Sequence, residues 1–145
     1  MRSSFVDSCV WIAALFPGHR DHSRAVSLLK QPGRLCTSEF VIDEVVAFIL
    51  GSAQLPDDAA RRRSEAVRFM KFSEDAANVE ALAVTGGQFG EAKSATERYG
   101  IGLTITDWTN ILLMKENRVK TLLSFDRGFL EAQNIPDFGF FRLAP

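Results

Sequence analysis

Asp7, Glu44, Asp107 and Asp126 stand where a metal site would want its acids. Asp7 ends the apolar run Phe5-Val6, and Asp126 ends Thr121-Leu122-Leu123-Ser124-Phe125. Asp107 follows Leu103-Thr104-Ile105-Thr106, and Glu44 lies between the apolar groups Phe40-Val41-Ile42 and Val45-Val46. Carboxylates beside buried segments are costly unless their charge is compensated. A divalent cation is the simplest compensation for several acids at once. Mg²⁺ and Mn²⁺ prefer oxygen ligands and keep positions open for water and substrate phosphate. These residues therefore point to metal-dependent chemistry on phosphodiesters.

For Asp7, Asp107 and Asp126 the plain alternative is helix capping, because each stands near an expected helix start and Asp suits both the cap and the dipole. Taken singly, each is better read as a cap. Three caps need not converge, whereas acids at neighbouring strand ends would. Glu44 escapes the capping account, since it falls inside a helix between apolar neighbours. Asp43 competes with it: successive helical positions are about 100° apart, so only one of the two faces a given site. Periodicity alone leaves the choice open. Asn110 lies one turn after Asp107 and could hold water or substrate, or serve as a structural amide. Ser8 could donate a hydrogen bond to Asp7 or to phosphate, or simply open a helix. Asp21, Asp57, Asp58, Asp75 and Asp137 read as loop, cap or surface acids, and His19 and His22 as exposed residues without a catalytic part.

The elements that must position the acids alternate. Short strands are expected at Ser4–Asp7, Leu35–Thr37, Val119–Phe125 and Phe138–Leu143, while Val79–Val84 reads as either a strand or the end of an irregular segment. Helices are expected over Val10–Leu15 with Pro17-Gly18 as the end, from Asp21 to Leu29, from the N-cap Ser38 to about Leu50 with Gly51 as the stop, and with Pro56 near the first turn of the next. Further helices are expected at Phe89–Tyr99 closed by Gly100, Asp107–Asn117 and Asp126–Gln133. Thr85-Gly86-Gly87 reads as a turn, and Phe138, Phe140 and Phe141 as packing residues of the last strand. Alternation of this kind calls for a parallel or mostly parallel sheet with helices on both faces. Ligands of such sheets gather outside the carboxyl ends of the strands, where Asp7 and Asp126 both fall.

The 145 residues fit one domain spanning 1–145, with 46% hydrophobic and 24% charged residues. No run approaches a membrane span, and the N-terminus lacks a cleavage site, so a cytoplasmic protein is expected. Cys9 and Cys36 form no CxxC pair, which argues against zinc and for buried thiols. A net charge of −1 gives no global nucleic-acid signature. The local cluster Arg61-Arg62-Arg63, Arg68 and Lys71 reads first as a solvated helix face. No GxSxG, Walker loop or GxGxxG is present, so neither a serine hydrolase nor a nucleotide-binding loop is expected.

The segments Phe5-Val6-Asp7-Ser8, Ser38 through Val46, Thr104-Ile105-Thr106-Asp107-Trp108 and Leu122 through Phe129 together resemble the PIN-domain nucleases, and most closely the toxins of VapBC-type toxin–antitoxin pairs. The resemblance covers essentially the whole chain. It implies a three-layer α/β/α sandwich with a short, mostly parallel central sheet. It also implies an Mg²⁺- or Mn²⁺-dependent endoribonuclease whose acids are Asp7, Glu44, Asp107 and Asp126. Ser8 and Ser124 match the family's hydroxyl positions beside the first and last acids. Trp108 and Asn110 replace the small residues usual after the third acid, which puts substrate access in question. The implied partners are RNA, a small antitoxin and a second copy of the chain. Against this stand an RNA-processing enzyme outside any toxin–antitoxin pair, a non-catalytic binding domain of the same fold, and a receiver- or phosphatase-like protein. The last would want a DxD pair, which Asp7-Ser8-Cys9 lacks.

Overall fold

The computed structural model describes residues 2–52 and 58–144. The expectations at Pro56 and Asp57 lie outside them. In order, the elements are β1 (Ser3–Val6), α1 (Ser8–Leu15), α2 (His22–Leu29), β2 (Arg34–Ser38), α3 (Glu39–Gly51), α4 (Ala59–Asp75), β3 (Val79–Leu82), α5 (Gly86–Tyr99), α6 (Ile105–Glu116), β4 (Thr121–Leu123), α7 (Phe129–Gln133), a 3₁₀ turn (Pro136–Phe138) and β5 (Arg142–Ala144). The sheet has five strands in the order β3-β2-β1-β4-β5, and every pairing is parallel. The architecture is the α/β/α sandwich, with a sheet wholly rather than mostly parallel.

This order has a direct consequence. The chain steps outward from β1 through β2 to β3, then crosses back to β4 beside β1. Right-handed crossovers put α1–α4 over one face and α5–α7 over the other. The reversal opens a crevice between the carboxyl ends of β1 and β4, where such sheets bind ligands. The Asp7 amide closes the ladder there, donating to the Leu123 carbonyl at 3.0 Å.

The core lies between sheet and helices. Phe5, Val6, Cys36 and Leu122 are fully buried in the strands, as are Val10, Val41, Val45, Trp108, Ile111 and Met114 in the helices. Trp108 is stacked among Tyr99 and Phe138, with ring centroids 5.5 and 5.3 Å away, so it fills the core and does not crowd the crevice. Its indole N–H has no partner among the described residues. Gly33 is required by close approach. At φ +134° a Cβ there would stand 2.4 Å from the Arg2 carbonyl oxygen.

Several boundaries differ from the sequence expectations, each because a side-chain or backbone hydrogen bond intervenes. Thr85-Gly86-Gly87 is no turn: Thr85 and Gln88 form a reciprocal capping box, so α5 starts at Gly86 despite its glycines. Thr104 and Asp107 form a second such box, which moves the start of α6 back to Ile105 and makes Asp107 the third residue of that arrangement rather than the cap. Gly51 is the last residue of α3, and Ser52 is its cap. The Val119 amide is spent on the Met114 carbonyl at the end of α6, so β4 begins only at Thr121. The Phe141 carbonyl accepts from Gln133 Nε2 at 2.7 Å, and β5 starts after it. Phe138 and Phe141 are buried as expected, but ahead of the strand. His19 and His22 are half-buried, not exposed: His19 Nδ1 accepts the Asp21 amide, and His22 Nδ1 lies 2.9 Å from the Ala13 carbonyl.

Candidate active site

Asp7 leaves β1 with extended backbone and caps α1, its Oδ1 accepting the Ser8 amide at 2.8 Å. Capping occupies one oxygen. The other, Oδ2, accepts the Ser124 hydroxyl at 2.8 Å from the end of β4. Asn110 Nδ2 approaches Oδ1 at 3.5 Å, and its own Oδ1 accepts the Ser38 hydroxyl at 3.2 Å. Asp7 is 4% exposed, and Asn110 and Ser124 are fully buried. The ends of β1 and β4 and the first half of α6 therefore meet at one carboxylate, and Asn110 ties the start of α3 to them.

The remaining acids gather around it. Asp107 Oδ2 accepts the Thr104 amide at 2.8 Å, which anchors it at the N-terminus of α6. Glu44 is half-buried on α3 beside Ser8 and Thr106, while Asp43 points to solvent. The choice that periodicity left open is thus decided by geometry: Glu44 is the one turned to the cluster. Asp126 is exposed and no helix cap. It holds a turn by accepting the Gly128 amide at 2.8 Å, and its own amide donates to Ser124 Oγ at 3.0 Å.

The electrostatics follow from crowding acids in a partly dry crevice. Burial pushes the Asp7 carboxyl up to about 6; the Ser124 hydrogen bond opposes the rise, while the charges of Asp107 and Glu44 add to it. Burial also raises Glu44, with Ser8 and Thr106 opposing and Asp107 adding. Asp107 is raised by burial against its Thr104 hydrogen bonds, and by the charge of Asp126. All four acids thus sense one another in a chain from Glu44 through Asp7 and Asp107 to Asp126.

The donor set is wholly oxygen, which suits a hard cation. Among the described residues no three His, Cys, Asp or Glu side chains stand close enough to enclose a single ion. A closed cage of protein ligands is the habit of structural zinc. Mg²⁺ is held by one or two carboxylates and keeps its waters. It is the all-oxygen donor set, and not the spacing of the acids, that suits Mg²⁺ or Mn²⁺.

Cys36 is a buried core thiol as expected, but Cys9 is only half-buried and lies against the acids. Its thiol lies 3.5 Å from Asp7 Oδ2 and 3.4 Å from Ser124 Oγ, and its sulfur accepts the Phe125 amide. Burial pushes this thiol up to about 11, followed by the charge of Asp7, so it stays protonated and packs the site. Its place two residues after an acid at a strand end was the available signal. The cluster Arg61, Arg62, Arg63, Arg68 and Lys71 lies along α4, with Arg68 paired to Glu65 at 3.6 Å.

The family model of the PIN domain matches residues 4–135 of the chain. No curated protein sequence matches it. Among solved structures, the chain is similar to Mycobacterium tuberculosis VapC20, a sarcin–ricin loop cleaving toxin. The TM-score is 0.77 at 22% identity, over 98% of this chain and 99% of that one. It is similar to a chain of VapBC2 from Rickettsia felis bound to a DNA fragment from their promoter, with TM-score 0.64 at 14% identity over 99% of both chains. It is also similar to a chain of a toxin–antitoxin complex from Klebsiella pneumoniae, with TM-score 0.60 at 15% identity, over 98% of this chain and 96% of that one.

Proposed function

The chain belongs to the PIN domain family, and on that premise we propose that it is a divalent-metal-dependent endoribonuclease and the toxin of a toxin–antitoxin pair. One observation carries the reading. The buried Asp7 carboxylate, at the crevice where the sheet reverses direction, is coupled in charge to Asp107 and Glu44, and Asp107 in turn to Asp126. Such a cluster of like charges is costly in the absence of a cation.

In this proposal Asp7, Asp107 and Asp126 hold the cation, some directly and the others through its waters, and Glu44 completes that shell or orients the attacking water. When bound, Mg²⁺ or Mn²⁺ would supply activated water at neutral pH and neutralise charge building on the phosphate. Glu44, raised by burial, is suited to accept a proton from that water. Ser124 and Asn110 fix the Asp7 carboxylate, and Ser8 reaches toward Glu44 and the substrate side. The similar structures from toxin–antitoxin complexes support an antitoxin partner, and a second copy of the chain is proposed beside it. A basic side chain of the antitoxin would screen the acids. No helix among the described residues is long and apolar enough to cross a membrane, and the proposed place of action is the cytoplasm.

The test is incubation of the purified protein with a mixed RNA pool in Mg²⁺, Mn²⁺ or EDTA. Discrete fragments in either metal and none in EDTA are expected. Intact RNA throughout, from a folded protein that takes up no metal, would leave a PIN-fold binding domain instead.

A further inference from the structure

At the other end of the sheet, away from the acids, lies a cleft of about 560 Å³ lined by Arg2, Arg118, Lys120 and Arg142 together with Phe140 and Thr121. The same topology builds it. Arg2 precedes β1, Arg118 and Lys120 precede β4, and Arg142 opens β5, so the amino ends of adjacent strands bring four cations together. All four are exposed. Among the described residues none of them is paired with a carboxylate. Arg142 Nε donates to Thr121 Oγ1 at 3.3 Å, leaving the rest of its guanidinium to the cleft.

Two backbone features fix these cations. The Arg2 carbonyl accepts the Arg34 amide at 3.0 Å and lies against Gly33, whose lack of a side chain permits the approach. Arg118 occupies the left-handed position that closes α6, at φ 56°. The Val119 amide bonds to the Met114 carbonyl and the Arg118 amide to that of Lys115, the pattern in which glycine is the usual residue. An arginine there strains the backbone without serving the turn, so its side chain needs another reason.

We infer that this cleft binds the phosphate backbone of single-stranded RNA at a distance from the acidic crevice. The inference rests on the ribonuclease reading of that crevice. Clustered cations beside a half-exposed aromatic ring, here Phe140, are the combination single strands use: charge tracks the backbone while a base stacks. The acids repel phosphate until a cation is bound, so a long substrate gains from an anchor on the opposite end of the molecule. At about 3.3 Å per residue, the four steps from Ser3 to Asp7 separate the two sites by roughly 13 Å. An RNA long enough to pass around the sheet reaches both, and a fragment of a few nucleotides reaches only one.

The experiment measures binding of a long and a very short labelled single-stranded RNA, and of a labelled poly-glutamate peptide, in EDTA by fluorescence anisotropy. It compares the wild-type protein with Arg118→Gly and with Arg118→Gly/Lys120→Gln, and follows cleavage of both RNAs in Mg²⁺. Arg118→Gly relieves the turn and so preserves the fold. The double variant should bind the long RNA about tenfold more weakly, with a salt dependence shallower by roughly 0.7 per lost charge. Its cleavage of the short RNA should be unchanged. Equal affinity and equal salt dependence in the double variant would overturn the inference while leaving the nuclease reading intact. Loss of binding to a poly-glutamate peptide, with RNA binding unaltered, would overturn it in favour of an acidic protein segment. Weakened RNA binding by a chain whose wild type cleaves nothing would uphold the cleft and remove the nuclease.

Discussion

Ser124 Oγ donates to Asp7 Oδ2 at 2.8 Å across the gap between β4 and β1, and the same oxygen accepts the Asp126 amide at 3.0 Å. One buried hydroxyl thus sets both the orientation of the most buried acid and the backbone that carries the most exposed one. Ser124→Ala should leave a buried carboxylate oxygen and an amide short of a partner, costing about 1–3 kcal/mol of stability. It should also raise the Asp7 carboxyl further, so that more metal is needed for half-maximal cleavage. Denaturant unfolding and a Mg²⁺ titration of activity check the two effects separately.

Asp7 links site chemistry to stability. Its carboxyl is raised from 3.8 to about 6 in the folded chain, chiefly by burial. The native state therefore holds the proton more tightly than the unfolded chain does. That contribution is fully present below pH 4 and is lost as pH rises through about 6. A difference near two units corresponds to roughly 3 kcal/mol. The metal-free protein should lose stability between pH 4 and 7, and Asp7→Asn should flatten that loss, melting higher than wild type at pH 7 in EDTA. Thermal melts across this range give the answer, and identical pH profiles for the two proteins would refute the assignment of strain to Asp7.

Cation binding should reverse the same penalty. At a hundred times its Kd, a bound ion stabilises the native state by about 2.7 kcal/mol. For a chain of this size that is about 5–10 °C in Tm. Wild type should show this rise with Mn²⁺ or Mg²⁺, Asp7→Asn little of it, and EDTA should abolish it.

The two adjacent acids of α3 separate by direction. Glu44 is turned to the cluster and Asp43 to solvent. Glu44→Gln should lower cleavage by about 10²-fold, the scale of a proton-transfer group. Asp43→Asn should stay near the wild-type rate. Equal losses in the two variants would mean that α3 is seated differently against the crevice.

Gly33→Ala should destabilise the fold by about 2 kcal/mol or more, since a left-handed backbone and a contact with the Arg2 carbonyl act together. The loss would be read in denaturant midpoints. A neutral substitution would mean that the turn before β2 can relax.

Much of this architecture was legible in the chain. The order of strands and helices followed from apolar runs and breakers, and Ser38 as a cap from its residue type. Gly100 as a left-handed stop followed in the same way. What escaped were boundaries decided by tertiary or reciprocal hydrogen bonds, such as the box of Thr85 and Gln88, which overrides two glycines. At the site, residue types marked the acids, but not which of Asp43 and Glu44 faces inward. The buried bridge from Ser38 through Asn110 to Asp7 joins residues 72 and 103 apart in sequence, which no local pattern reveals. Cys9 was read as a core thiol because nothing in its neighbours announced that β4 would bring Ser124 against it.

The proposed function depends on hydrolysis of RNA at the acidic crevice around Asp7 with a bound cation. Its most direct test is a time course of RNA cleavage by wild type and Asp7→Asn at equal concentration in Mn²⁺, with folding of both verified by circular dichroism. Cleavage by the wild type, lost on addition of EDTA, and none by the folded variant are expected. Wild-type rates in Asp7→Asn, or cleavage that survives EDTA, would contradict the proposed function.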